Sequence, residues 1–276
     1  MSRSPDPVGT YSSPPPERPA GTLHLNGSGP TGHPAPPDLD LAARAAEADL
    51  PTGAEKTALV RSMFDTIAPR YDLVNRMMTF GLDVRWRRQS ARALGLPAGA
   101  RVLDLACGTG DFLTILSAGG LAPLGMDLSW GMLQANRTGL PLAQADGAAL
   151  PLMTSSVDGI TCGYALRNFT ELGTVFDEFG RVVRPGGRIS LLEVAEPDHG
   201  LLLAGHRIWF RKVVPVIGGL LSDRSAYRYL PRSTAYLPGT AELRSMLAGA
   251  GFSSVNRRAL SGGLSQLITA TRTGRP

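Results

Sequence analysis

The hydrophobic pattern of this chain changes after a polar first part into a long region where two periodicities alternate. Short runs of consecutive apolar residues predict strands at 102–106, 122–128, 141–145, 157–166, 188–194, 253–259 and 264–271. Apolar residues at helical spacing predict helices between them, at 112–116, 130–137, 172–183 and 240–249. This alternation predicts an α/β fold with a mostly parallel sheet covered on both faces, closed by a terminal hairpin.

A helical region precedes the first strand. Leu59, Met63 and Ile67 are spaced as on one face of a helix, and residues 87–94 form a second amphipathic pattern. We predict that residues 53–96 form a lid over a ligand crevice of the sheet.

Two further segments lie outside the strand and helix rhythm. Residues 1–52 are rich in Pro, Gly and Ser and bury too little apolar surface to order themselves, so we predict a disordered tail and a folded domain at 53–276. Residues 199–238 combine aromatic residues with arginines and predict a largely helical insertion before the sixth strand.

The first strand runs into a glycine bend and then into a helix. The bend contains Gly108, Thr109 and Gly110. The backbone N–H groups at such a helix start can donate hydrogen bonds to the polar end of a nucleotide-like ligand. The dinucleotide pattern G-x-G-x-x-G is not met, because Leu113 stands where the third glycine belongs. Asp104 precedes the bend and suits the ammonium group of S-adenosylmethionine (SAM). Its alternative role is a strand carboxylate satisfied by backbone N–H groups.

Acidic residues also end the second and third predicted strands. Asp127 is placed to accept hydrogen bonds from two ribose hydroxyls, and its alternative role is to cap the following helix. Asp146, followed by Gly147, can accept a hydrogen bond from an adenine amino group. Three carboxylates at consecutive strand ends, each suited to a different part of one ligand, predict a SAM site.

Four segments together resemble class I SAM-dependent methyltransferases: Asp104-Leu-Ala-Cys-Gly-Thr-Gly-Asp111, Gly125-Met-Asp-Leu-Ser129, Ala145-Asp-Gly-Ala-Ala-Leu-Pro151 and Arg181-Val-Val-Arg-Pro-Gly-Gly187. More narrowly, three segments resemble the ubiquinone/menaquinone C-methyltransferase (UbiE/MenG) family: Tyr71 to Trp86, Leu166 to Asn168 and Arg181 to Glu193.

The resemblance implies a Rossmann-like sheet of seven strands with the last antiparallel. It also implies C-methylation of a polyprenyl hydroquinone, such as demethylmenaquinol, in respiratory quinone biosynthesis. The SAM contacts of the family fall on Thr109, Asp127, Asp146 and Gly147 here.

This chain departs from the pattern of that family at three places. A serine that is usual on the fourth strand is replaced by Gly163, and a histidine common in the first signature is replaced by Asp83. The glycine lacks the side-chain hydrogen bond to SAM that the serine would make. The third departure is near the C-terminus, where Ser265 to Arg272 stands in place of a segment that often reads Ala-Leu-His. Asp83 and this segment leave the prediction of SAM binding intact and bear on the acceptor.

Methyl transfer to a ring carbon needs an electron-rich acceptor, because the sulfonium methyl of SAM is already activated. We predict that Arg167 stabilises a phenolate directly or through a water, with Asn168 orienting the ring. Tyr71 and Asn75 are predicted to close the site from the lid. The alternative for Arg167 is an ion pair with the acidic side chains of the next helix, Asp177 and Glu178.

The composition of the chain bears on its compartment, its partners and its need for a metal. Lys and Arg exceed Asp and Glu by 28 to 23, which suits an anionic membrane surface as well as an ordinary solvated one. The two cysteines favour a reducing compartment, and the four histidines have no metal-ligand spacing. We therefore expect a cytoplasmic enzyme, peripheral to a membrane at most, without metal or nucleic acid, and compatible with a homo-oligomer. The alternatives are a SAM-dependent methyltransferase of another small molecule and a non-catalytic SAM-binding protein.

Overall fold

The computed structural model describes residues 51–195 and 232–274, together with positions 197, 200 and 203. Residues 1–50 of the predicted tail and most of the predicted insertion at 199–238 lie outside the described residues.

Seven strands form one sheet. They are β1 (Arg101–Leu105), β2 (Ala122–Asp127), β3 (Leu142–Gln144), β4 (Val157–Gly163), β5 (Val183–Val194), β6 (Phe252–Leu260) and β7 (Ser265–Arg272). Their order is β3-β2-β1-β4-β5-β7-β6, and β7 runs antiparallel to both β5 and β6. The prediction of a mostly parallel seven-stranded sheet with an antiparallel last strand is confirmed.

The described helices fall before, between and after these strands. They are α1 (Gly53–Ile67), α2 (Tyr71–Thr79), α3 (Leu82–Ala93), α4 (Asp111–Ala118), α5 (Trp130–Ala135), α6 (Leu172–Val182) and α7 (Thr240–Gly249). Within the described part of the chain, no helix is both long and apolar enough to cross a membrane.

Two strand boundaries differ from the predicted ones by more than two residues. β4 ends at Gly163, three residues before the predicted end at Leu166, because Tyr164 adopts a left-handed backbone (φ 62°) and a 3₁₀ turn follows at Leu166–Asn168. β5 begins at Val183, because the chain bulges at the turn predicted for 184–187 and the pairing shifts there. The first difference places Arg167 and Asn168 beside the carboxyl end of β4.

The main core lies between the sheet and helices α6 and α7. Phe176 and Phe179 of α6 and Leu247 of α7 are buried against apolar strand residues such as Ile160 and Leu191. Burial of this apolar surface is the main stabilising contribution in such a fold.

The first lid helix, α1, has its own apolar contact with the domain. Leu59, Met63 and Ile67, the residues at helical spacing in the sequence, are buried in a cluster with Met132 of α5. The lid helix therefore packs on the segment that follows β2, where a ligand of the strand ends would lie.

Candidate active site

A cavity opens at the carboxyl ends of β1, β2 and β4. Its walls include the bend after β1, the end of β2, the Asp146-Gly147 pair and the 3₁₀ turn after β4. Side chains from the lid helices α1, α2 and α3 also line it. In α/β sheets ligands bind outside the carboxyl ends of the strands, so this cavity is the candidate active site.

The glycine bend has the backbone that the sequence predicts. Gly108 and Gly110 have φ values of 52° and 99°, a region that favours glycine. A Cβ on Gly110 would lie 2.5 Å from Thr138 Cγ2 and 2.7 Å from Asn136 Nδ2. No side chain fits there. Gly108 and Thr109 line the cavity, whereas Gly110 does not occur among its described lining residues.

Asp104 is buried beside the bend with one carboxylate oxygen unpaired. Its Oδ1 accepts a hydrogen bond from Thr161 Oγ1 at 2.7 Å, whereas Oδ2 has no partner. Burial raises the pKa of Asp104 to about 7, against the opposing effects of Thr161 and the charge of Arg87. The alternative role, a carboxylate satisfied by backbone N–H groups, is wrong, and a buried unpaired oxygen fits an ammonium ligand.

Asp127 joins the bend to the end of β2. It accepts hydrogen bonds from the backbone N–H groups of Gly108 and Ser129, each at 2.8 Å. Burial raises the pKa of Asp127 to about 6, although these N–H groups favour its charged form. The helix is capped by Ser129, whose Oγ accepts from Met132 N, so the alternative role of Asp127 as the cap is wrong. Each oxygen of Asp127 keeps accepting capacity for a ribose hydroxyl.

Asp146 and Gly147 form the far wall of the cavity. Asp146 is exposed, and its Oδ1 accepts from Ala148 N at 2.9 Å, which leaves Oδ2 for a ligand. A Cβ on Gly147 would lie 3.0 Å from Leu105 Cδ2 and 3.1 Å from Phe169 Cε1. The absence of a side chain at Gly147 keeps space beside the Phe169 ring, as a flat ligand group requires.

Hydrogen bonds connect the lid to the loops of this site. Thr109 Oγ1 donates to Asp72 Oδ1 of α2 at 2.5 Å, and Arg76 of α2 donates to Asp111 at 2.8 Å. From α1, Asp65 accepts from Ser129 Oγ at 2.5 Å. The hydroxyl of Thr109, a predicted SAM contact, is therefore engaged by the lid.

The predicted acceptor residues divide between the cavity and the surrounding structure. Tyr71 lines the cavity and hydrogen-bonds to Asn75, and burial raises the pKa of its phenol. Asn168 also lines the cavity, and its buried Oδ1 has no partner. Among the described residues that line the cavity, Asn75 and Arg167 do not occur.

Arg167 is buried in an ion pair behind the cavity wall. Its Nη1 donates to Glu193 Oε1 at 2.5 Å and to the Tyr164 carbonyl at 2.6 Å, and its Nε donates to Ser233 Oγ. The alternative partners were wrong, since Glu178 of α6 bonds Arg181 instead. The role of Arg167 toward a phenolate stays a prediction.

Two residues at the site were not predicted from the sequence. Arg87 of α3 lines the cavity and pairs with Asp83 at 2.7 Å, and Asp72 holds Thr109. One signal for Arg87 was present, because Asp83 and Arg87 share the helix face that carries the buried Trp86 and Ser90. Charged residues four apart on a buried face differ from the usual solvated pair.

The model of the ubiE/COQ5 methyltransferase family matches residues 52–272. The chain belongs to this family. The predicted resemblance and the predicted class of enzyme, a SAM-dependent methyltransferase, are thereby confirmed.

Relatives in the ubiE/COQ5 methyltransferase family are similar over most of their length. One is the ubiquinone/menaquinone biosynthesis C-methyltransferase UbiE of Syntrophotalea carbinolica, 41% identical over 77% of this chain and 94% of its own. Another is the demethylmenaquinone methyltransferase of Thermus thermophilus, 41% identical over 69% of this chain and 91% of its own.

A solved structure supports the fold. A SAM-dependent methyltransferase from Thermotoga maritima superposes with a TM-score of 0.52 at 18% identity, covering 77% of this chain and 99% of its own. At this identity the similarity shows the fold alone, and this fold is the Rossmann-like sheet that the resemblance implies.

Proposed function

We propose that this chain transfers the methyl group of SAM to a ring carbon of a prenylated hydroquinone, a step in the synthesis of a respiratory quinone. Relatives at 41% identity are named for ubiquinone/menaquinone biosynthesis and for demethylmenaquinone methylation, which supports this acceptor. The observation that carries the proposal is a pair of buried acceptor atoms without partners, Asp104 Oδ2 and Asn168 Oδ1, at one cavity.

The proposed SAM contacts follow the strand ends. Asp104 would hold the ammonium group, and the Gly108-Thr109-Gly110 backbone would lie along the methionine portion. Asp127 would accept from the ribose hydroxyls, and the Asp146-Gly147 pair would meet the adenine. When bound, SAM supplies a methyl group already activated by its sulfonium.

The proposed acceptor site lies where β4 ends. The unpaired Oδ1 of Asn168 can accept a hydrogen bond from a ring hydroxyl and so orient the ring. Tyr71, oriented by Asn75, closes the cavity from the lid and excludes water. Arg167 stays in this proposal as a buried positive charge near the ring, balanced by Glu193.

Peripheral contact with a membrane is part of the proposal, since a prenylated acceptor resides in lipid. On α2 and the residue after it, Leu73, Met77 and Phe80 are 56%, 45% and 74% exposed, close to basic Arg76. An apolar face beside basic residues is typical of segments that lie on an anionic membrane surface. This face belongs to the same lid that covers the cavity.

The test is a turnover assay with methyl-labelled SAM and four reduced acceptors. They are a short-chain prenyl naphthohydroquinone and benzohydroquinone, each without its ring methyl, and the same rings without the prenyl chain. Label in a prenylated product is expected, with Asp104→Asn as the variant that loses it through weaker SAM binding. Label appearing instead in an unrelated phenol from a small-molecule panel would favour another acceptor.

A further inference from the structure

A second buried arginine, Arg87 of α3, reaches the cavity. Arg87 is 6% exposed. The other arginine among the described lining residues, Arg61, is exposed to solvent. A guanidinium stays protonated at any physiological pH, so Arg87 brings a permanent positive charge to the cavity wall. A buried charge of this kind requires compensation by the surrounding residues.

Asp83 provides that compensation and fixes the position of Arg87. Its Oδ2 accepts from Arg87 Nη1 at 2.7 Å, and its Oδ1 accepts from Thr79 Oγ1 at 2.9 Å. The aromatic rings of Tyr164 and Phe112 lie 5.4 Å and 5.9 Å from the Arg87 guanidinium carbon. With a carboxylate on one nitrogen and rings at its sides, the guanidinium is held in place.

Arg87 uses fewer of its N–H donors in hydrogen bonds within the described part of the protein than Arg167 does. Within the described part of the chain, Arg87 donates a hydrogen bond to Asp83 alone, and Asp111 Oδ2 lies 3.8 Å from the same nitrogen. Arg167, which does not occur among the described lining residues, donates to Glu193, to the Tyr164 carbonyl and to Ser233. Since a guanidinium carries five N–H donors, Arg87 retains donors for a ligand in the cavity.

Two phenols of the protein already lie in the field of Arg87. Tyr71 and Tyr164 both line the cavity, and the charge of Arg87 opposes the burial that raises the pKa of each phenol. A hydroquinone is also a phenol. A ring bound between these tyrosines would therefore place its hydroxyl where a positive charge favours the phenolate.

We propose that Arg87, positioned by Asp83, is the catalytic cation that stabilises the phenolate of the acceptor ring. This inference rests on the proposed function, because it requires a phenolic acceptor. It assigns to Arg87 the role that the sequence suggests for Arg167. It also gives a use to Asp83, which stands where the related family commonly has histidine.

The step balances without any further reactant. The acceptor hydroxyl releases its proton to water, and its O–H electron pair stays on oxygen beside Arg87. The ring carbon ortho to that oxygen, which carries a hydrogen, forms a bond to the methyl carbon as the S–CH₃ bond breaks, which leaves a neutral thioether. The same carbon then loses its hydrogen as a proton and the oxygen is reprotonated, so one proton is released overall.

The experiment compares charge removal at three arginines. Because Arg87→Gln alone would leave Asp83 buried without its counter-charge, the main variant is Asp83→Asn/Arg87→Gln, with Arg87→Lys as a charge-retaining second variant. Arg88→Gln, an exposed neighbour on α3, is the matched control, and Arg167→Gln tests the competing assignment. The dissociation constant for SAM is measured for each, followed by kcat and KM for the prenyl naphthohydroquinone across pH.

We expect the double variant to bind SAM within about threefold of wild type and to lose about 100-fold in kcat. The rising limb of its pH profile should move to higher pH, and an acceptor made more acidic by a halogen substituent should recover much of the rate. Arg87→Lys should keep the wild-type pH limb and lose about tenfold in kcat, because it lacks the planar fork. Arg88→Gln should match wild type.

The inference is overturned if the double variant keeps its pH limb and a kcat within about threefold of wild type. It is also overturned if Arg167→Gln moves the pH limb while the double variant does not. A wild-type protein that binds SAM and methylates no quinol would instead overturn the proposed function, and the inference with it.

Discussion

At the scale of single residues, the proposed contact of Asp104 with the SAM ammonium group predicts that SAM binding depends on pH. The pKa of Asp104 in the free protein is about 7, and an ammonium ligand favours its charged form. Below that pH, binding must expel a proton, so affinity should rise up to about tenfold per pH unit and level off above about pH 7. Titration calorimetry across pH, in buffers of different ionisation enthalpy, measures both the affinity and the protons released.

Asp104→Asn is the matched variant for this titration. It keeps an acceptor for Thr161 and removes the titrating charge, so its weaker affinity should vary much less with pH. A variant with the same pH dependence as wild type would contradict the assignment, and the pKa of Asp127, at about 6, would then be the remaining explanation.

The same carboxyl affects stability without ligand. Because its pKa is raised from 3.8 to about 7, the native state holds this proton more tightly than the unfolded chain does. The contribution of Asp104 to stability is therefore lost as pH rises from about 4 to about 7. We expect Asp104→Asn to be more stable than wild type by about 1–3 kcal/mol at about pH 8, with a gap that shrinks toward about pH 5. Urea denaturation of both proteins at the two pH values measures this difference in the free energy of unfolding. An equal difference at both pH values would show that ionisation of Asp104 is not its cause.

Gly163 tests packing at the end of β4. A Cβ there would lie 2.7 Å from Phe112 Cε2, so the serine common in the related family cannot enter without moving that ring. We expect Gly163→Ser to cost about 1–2 kcal/mol of stability. Adding Phe112→Leu should relieve the clash and restore part of the loss, as measured by thermal unfolding. A single variant as stable as wild type would mean that the ring moves freely.

At the scale of elements, the lid is held to the glycine bend by few polar contacts. Asp72→Ala removes the 2.5 Å bond from Thr109 and leaves the Arg76–Asp111 pair in place. We expect SAM to dissociate about tenfold faster, with faster amide exchange in α2, because the bend and the lid lose their direct connection. Stopped-flow displacement of SAM measures the rate. Glu55→Ala, which removes an exposed carboxylate of α1, is the control. Equal SAM dissociation rates in the two variants would show that the Thr109–Asp72 contact does not slow SAM release.

Local sequence patterns predict the strands and helices. They do not predict which side chains several of the site residues pair with. The strands, the glycine bend and the Ser129 cap are each specified by neighbouring residues. Asp127 ends β2 as predicted, and Asp104 and Asp146 lie within two residues of the ends of β1 and β3. Arg167 pairs with Glu193 on β5, a contact between distant parts of the chain that no local spacing reveals. The Tyr164 backbone that ends β4 depends equally on its tertiary surroundings.

At the scale of the whole molecule, the sheet brings the proposed donor and acceptor sites to one cavity. The strand order puts β1 between β2 and β4, so Asp104 is flanked by the carboxylate that ends β2 and by the turn that carries Asn168. These residues lie close together because the strands are parallel, as the alternation of strand and helix patterns in the sequence predicts. The polar connection between lid and sheet required the structure, because it joins residues on separate elements.

The central claim is that the methyl group goes from SAM to a carbon of a quinol ring in this cavity. The most direct measurement is the position of the label in the product after incubation with ¹³C-methyl SAM and a reduced prenyl naphthohydroquinone, determined by NMR. The account predicts a methyl carbon bonded to the ring carbon ortho to a hydroxyl. A methyl carbon bonded to oxygen, or no transfer by a protein that binds SAM, would contradict it.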